Sequence, residues 1–479
     1  MPDALVADQD NEDSEPSAHE LAARASRDII ALTWPVVLGQ IMANAVPLID
    51  ILMLGRLGTP TLAAVGYASQ FLMLAQASLM AIGSACVAMM ARAIGARDVQ
   101  RARQAFSANL WLALGVTALL TVITLGFPRQ LLHVLAVKES VIDLAIPYFR
   151  LTLSSSMLMA VALGYEHAFR AAKDTFGPML IAAIVSLTKV GCNYLLIFGA
   201  LGLPKLGLAG AGVATIVSQA LAVALFVAAS KRHRHPAVRF GLCDLRLERT
   251  MLTEAYYVAL PAVGERFIMT AAMMAYFRFL GNYGVEAVAA YNVGVRILAF
   301  TWIPGIGLSV AAATLVGHAL GRGDSQLARR SGWEAVRIGS LMSIVLGALF
   351  VALRIPMAKI FTADPKVVAD LDPFILLLGI ALPFLVAHFT LGGALRGAGD
   401  TLTPLKAAVL GNWVFRVPLG YLFGQLLGLD LFWVWAIMLI DHVSRAAWLL
   451  WSFHFGQWDQ NVGTRIRRDS RGSPVLRTS

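Results

Sequence analysis

The sequence predicts an all-α integral membrane protein of about twelve transmembrane helices, built as two six-helix bundles related by a pseudo-twofold axis along the membrane normal. Three observations carry that expectation. Of 479 residues, 58% are hydrophobic and only 14% charged, with a mean hydropathy of +0.69, the composition of a chain solvated by lipid. Apolar runs of about 20 residues, the length that crosses a hydrocarbon core of roughly 30 Å, recur almost end to end. Sliding the sequence against itself by 226 residues brings Pro35 onto Pro261, Gly55 onto Gly281, Gly95 onto Gly321, Asp98 onto Asp324, Arg170 onto Arg396 and Asp174 onto Asp400 without a gap. A register held through five helices marks a duplication.

Taken in chain order, residues 1–28 read as an acidic, disordered tail. The first twenty positions hold seven acids (Asp3, Asp8, Asp10, Glu12, Asp13, Glu15 and Glu20) and no Lys or Arg, unlike a signal peptide. Six spans begin near Ile29, Leu62, Phe106, Ile142, Phe176 and Leu206 and form an N-terminal bundle over 29–230. A basic linker, 231–250, carries Lys231, Arg232, Arg234, Arg239, Arg246 and Arg249. Six more spans begin near Leu252, Val288, Val336, Leu371, Pro404 and Leu431 and form a C-terminal bundle over 251–456, followed by a basic tail, 457–479. Each repeat places a polar hinge after its second span, Gly95 to Arg103 and Gly321 to Arg330, where Asp98 and Asp324 are expected to cap the next helix. No room remains for a sizeable soluble domain.

The formal charge of +10 is distributed as topology requires and does not point to nucleic acid. The side holding the N-terminus carries 25 Lys and Arg (2 in the tail, then 4, 2, 6, 4 and 2 in alternate loops, and 5 in the C-terminal tail), against 7 on the opposite side. This positive-inside asymmetry predicts an even number of spans with both termini cytoplasmic, in a bacterial inner membrane. The basic loops also suit contact with anionic lipid. Cys86, Cys192 and Cys243 have neither metal-ligand nor redox spacing. Parallel repeats place a substrate path between the halves, so transport is the expected function. No catalytic set, metal motif or phosphate-binding loop is visible, so an enzyme is not expected, nor a metal or organic cofactor.

The same residues resemble the multidrug and toxic compound extrusion (MATE) family from about Thr33 to Trp458. The likeness runs through Pro35, Asp50, Leu54, Gly55, Leu57 and Gly58, the two Arg170 and Arg396 segments ending in Asp-Thr, Asn193 to Gly199, Leu315 to Gly317, and Arg416 with Pro418, Leu419 and Tyr421. The resemblance implies an antiporter that expels organic, often cationic, compounds in exchange for H⁺ or Na⁺; the chain is expected to be a monomer, though no residue pattern bears on its oligomeric state. It also implies that Asp50 is a protonation or ion site. Burial near the bilayer favours the neutral form of such a carboxylate, so the chemistry suits the role.

Where relatives carry Asn and Asp in the fifth span, this chain has Lys189 and Asn193. Lys189 is expected either to pair with Asp50, so that a proton or cation competes with it, or to snorkel to an interface. In the second half Glu265, Arg296 and Asp441 are coupling or substrate candidates. The structural alternatives are a Glu265 pair with Arg266 or another arginine, an ion-pairing role for Arg296 and Arg416, and an Asp441 pair with Arg445 one turn on. His388 supplies no tenth-span carboxylate, and a Na⁺ site needs several hard oxygens, so H⁺ coupling is expected. Asn44, Gln70 and Tyr276 are candidates to line the path. A flippase for lipid-linked saccharides is the rival reading.

Overall fold

The computed structural model describes residues 18–134, 139–202, 204–241, 244, 246–362, 364–459, 467–468 and 474–475. The acidic tail through residue 17, Cys243 and most of the C-terminal tail lie outside them. The first half contains α1 (Ala18–Gly55), α2 (Thr59–Gly95), α3 (Val99–Gly126), the short α4 (Pro128–Val134), α5 (Glu139–Ala171), α6 (Phe176–Phe198) and α7 (Leu208–Arg232). The second contains α8 (Arg249–Leu280), α9 (Val285–Gly321), α10 (Ser325–Ala352), the short α11 (Arg354–Phe361), α12 (Pro365–Gly397), α13 (Leu402–Val409), α14 (Val417–Tyr421) and α15 (Leu431–Phe455).

Ten of these helices are long and apolar enough to cross a membrane. Two further passages complete six per half. One runs from Leu402 to Leu426, where π-helical turns at Leu410–Arg416 and Leu422–Leu426 interrupt the α-helix. The other is α15, whose apolar run is broken by Asp441, His442 and Arg445. Large apolar side chains stand on the outer surface, including Leu52, Leu187 and Val345. Such a surface is costly in water and at home in lipid.

The duplication is visible in the backbone. α2, α3, α4, α5 and α6 start at 59, 99, 128, 139 and 176, and their counterparts α9, α10, α11, α12 and α13 start at 285, 325, 354, 365 and 402, each 226 residues later. The turns repeat too. Asp98 accepts the Arg101 N–H at 2.8 Å and Asp324 the Leu327 N–H at 2.7 Å, capping α3 and α10 as expected. Left-handed residues pair at the same offset, with Gly58 at φ 109° and Gly284 at 97°, and Lys173 at 64° and Gly399 at 86°.

Two segments differ from the sequence reading. The first helix begins at Ala18, not near Ile29, because its polar turns find partners: Ser26 Oγ donates to Glu334 Oε1 at 2.6 Å, and Asp28 pairs with Lys173 at 3.1 Å. The basic linker packs onto the first half. Phe240 stacks on Phe106 with ring centres 3.7 Å apart, and Arg103 bonds Asp244 at 3.2 Å.

The lobes meet at the end that carries the chain termini. There α2 and α9 cross so closely that a Cβ on Gly321 would lie 2.9 Å from Gly95 Cα. His318 Nε2 approaches the Ala171 carbonyl at 2.7 Å and Thr314 donates to the Arg170 carbonyl at 3.2 Å, both from α9 to α5 across the lobes.

Candidate functional site

In the first lobe, α1 carries Asp50 three residues beyond its second internal proline, Pro47. Lys189 and Asn193 lie one turn apart on α6, so both project from one face. Lys189 Nζ lies 2.8 Å from Asp50 Oδ2, and Asn193 Nδ2 donates to Asp50 Oδ1 at 2.5 Å. The Lys189 and Asp50 side chains are 20% and 15% exposed, while Asn193 is fully buried. Of the two alternatives for Lys189, the structure shows the pair. Both groups bonded to the carboxylate are donors, one of them a lysine ammonium. Protonation would discharge the pair.

The second lobe separates its acids into two clusters. Glu265 on α8 accepts from Arg396 Nη1 of α12 at 3.0 Å, so its partner is an arginine of another helix and not the neighbouring Arg266. Asp441 on α15 is fully buried and takes two bonds from Arg445, at 2.6 and 2.8 Å. Arg416, delivered by the π-helical turn, adds a contact at 3.4 Å. His388 stacks on His442, ring centres 5.4 Å apart.

The remaining candidates separate. Tyr276 does not line a path. It is 1% exposed, its hydroxyl donates to the Val434 carbonyl at 2.5 Å, and its ring sits under the Arg416 guanidinium at 5.0 Å. Arg296 is exposed and, among the described residues, makes no ion pair, so the structural pairing expected of it is absent. Asn44 and Gln70 are both exposed, and Gln70 borders a shallow recess with Tyr67.

Sequence reasoning missed the floor between the lobes. Glu166 pairs with Arg170 four residues on, and His167 Nδ1 lies 2.6 Å from the Leu163 carbonyl. The signal was present as the Arg-x-Ala-x-Asp-Thr segment shared by both repeats, with an acid one turn ahead only in the first. Nearer the termini, a cavity of about 670 Å³ is lined by Arg92, Asp98, Arg101, Glu254 and Asp400.

Comparison with known proteins gives a consistent result. The MatE family profile matches residues 35–195 and 261–422, one match in each half. A probable multidrug resistance protein NorM from Rhodopseudomonas palustris is 31% identical, covering 93% of this chain and 92% of its own length. Another from Thermotoga maritima is 26% identical, covering 92% and 95%. The crystal structure of the Vibrio cholerae MATE transporter VcmN in the bent form superposes with a TM-score of 0.85 at 21% identity, covering 92% of this chain and 99% of that one.

Proposed function

The chain belongs to the MatE family of membrane transporters, and from that premise we propose that it is a secondary active multidrug efflux antiporter, exporting organic cations in exchange for H⁺. The observation that carries the coupling is the Asp50 carboxylate held by the Lys189 ammonium and the Asn193 amide. A proton on Asp50 releases Lys189, and a cationic substrate competes for the same charge, so proton and substrate exclude one another as antiport requires. Na⁺ is disfavoured as the coupling ion because the Lys189 ammonium already occupies the Asp50 carboxylate, whereas Na⁺ needs a shell of several oxygens.

The two lobes rock about the α2 and α9 crossing, alternating access to the path between them. The asymmetry of 25 against 7 basic residues supports cytoplasmic termini in a cell inner membrane. With that orientation the closed end faces the cytoplasm, and the chain works as a monomer in lipid. The rival reading, a flippase for lipid-linked saccharides, draws on the arginines between the lobes.

The test is efflux of a fluorescent lipophilic cation from vesicles, driven separately by pH and Na⁺ gradients, with Asp50→Asn beside the wild type. Movement driven by the pH gradient alone and lost in Asp50→Asn is the expected result. Movement that follows Na⁺, or survives the substitution, would move coupling to the second lobe. No movement under either gradient would leave the flippase as the better reading.

A further inference from the structure

Between the lobes lies a small cavity of about 80 Å³. Its walls include Arg170 from α5, Glu265 and Arg266 from α8, and Arg396 from α12. Two of the three guanidiniums have carboxylate partners: Arg170 bonds Glu166 and Arg396 bonds Glu265. The Arg266 guanidinium makes no hydrogen bond or ion pair with any described residue; the nearby Glu265 carboxylate acts on it only through its charge and is bonded instead by Arg396. Arg170 is 7% exposed, and its Nε is buried without a hydrogen-bond partner. Three cations therefore face two anions. His167 offers no negative charge in either protonation state.

Two guanidiniums that share one carboxylate inside a membrane protein are under-compensated, and water filling the cavity would supply acceptors but not charge. The planar donor fork of arginine matches a carboxylate. The volume holds a carboxylate group or a monatomic anion, with the body of any larger molecule left outside, and is too small for a saccharide pyrophosphate. We propose that this cavity is a binding site for a small monovalent anion, with Arg170, Arg266 and Arg396 as its ligands: the carboxylate of a zwitterionic substrate, or chloride.

The proposal deepens the transport reading and rests on it for what arrives at the cavity. Arg170 belongs to the first lobe and Arg266 and Arg396 to the second. An anion bridging them is held in this arrangement of the lobes and loses ligands when they rock apart. Binding would then be tied to the transport cycle.

The experiment compares two dyes of one skeleton, rhodamine 110, which bears a free carboxylate, and its methyl ester rhodamine 123. Binding to the purified full chain in detergent is followed by fluorescence anisotropy in gluconate and in chloride. If the cavity takes a substrate carboxylate, the acid binds at least about tenfold tighter than the ester. Arg266→Gln brings that ratio to about one, and Arg266→Lys restores part of it. If the cavity takes chloride, the dyes bind alike, while chloride raises the melting temperature of the wild type but not of Arg266→Gln.

A wild type with neither an acid preference nor a chloride response overturns the site. So does an acid preference or chloride response that Arg266→Gln leaves intact. Efflux of rhodamine 123 from vesicles reports on transport separately, so loss of the anion site and loss of the transport reading are distinguishable.

Discussion

Two donors from one face of α6 meet the Asp50 carboxylate, so its removal leaves the Lys189 ammonium without a counter-charge where that side chain is only 20% exposed. Breaking a buried pair costs about 3–5 kcal/mol, whereas replacing both members with apolar groups is often neutral. Partial exposure screens this site and lowers the single-variant cost to about 1–3 kcal/mol. Asp50→Asn is therefore expected to melt several degrees below the wild type. Asp50→Asn/Lys189→Met should recover most of that loss and stay uncoupled, when thermal melting and pH-driven efflux are read on the same preparations. Recovery of coupling in the double variant would show that Asp50 is dispensable. This pair was legible in the sequence because a buried ammonium has few acids to choose from. The Glu265 partner was not, since consecutive helical residues project about 100° apart and the choice of Arg396 is made by the packing of α12 on α8. Tyr276 was misread for a related reason: composition does not say which face of a uniformly apolar helix looks inward.

At the scale of the element, the passage from Leu402 to Leu426 departs furthest from a plain apolar helix. Its π-helical turn spans Leu410–Arg416 and carries Gly411 and Arg416 towards α15. A Cβ on Gly411 would strike the Asp441 carboxylate and the Arg445 guanidinium, a fully buried carboxylate held by charge-assisted bonds. Overpacking of this kind costs about 1–3 kcal/mol, and disturbing the pair adds to it. Gly115 in α3 has open space where its Cβ would go, and alanine gains about 0.5–1 kcal/mol over glycine within a helix. Opposite shifts are expected in thermal melting, Gly411→Ala downward and Gly115→Ala upward or unchanged. Equal behaviour would mean that the turn relaxes freely around the Asp441 cluster. Hydropathy revealed this passage as a span, but not its π-helical turns, because apolar periodicity does not separate π from α turns, and the first turn packs on an ion pair of a different helix.

For the molecule as a whole, the duplication means that one crossing is built twice. Gly95 of α2 and Gly321 of α9 are equivalent positions, and each presents bare backbone to the other helix: a Cβ on Gly321 would meet Gly95 Cα at 2.9 Å, and one on Gly95 would meet His318 Cα at 2.9 Å. The offset exposed the equivalence, yet both glycines read as hinge residues beside the helix caps. A close helix crossing is a tertiary fact that small residues permit and do not announce. The packing closes the terminal end of the cleft, so a branched side chain at either glycine should hold the lobes apart there and favour the opposite-facing state. Met251 is 7% exposed and lines the 670 Å³ cavity beside that crossing, which makes Met251→Cys a reporter of opening when the native cysteines are replaced. In that background Gly321→Val and Gly95→Val are each expected to raise maleimide labelling of the reporter several-fold and to depress efflux, while the chain remains folded by melting. Unchanged labelling in a folded, efflux-deficient variant would mean that the α2 and α9 crossing is a fixed seam, and that the lobes open about some other contact.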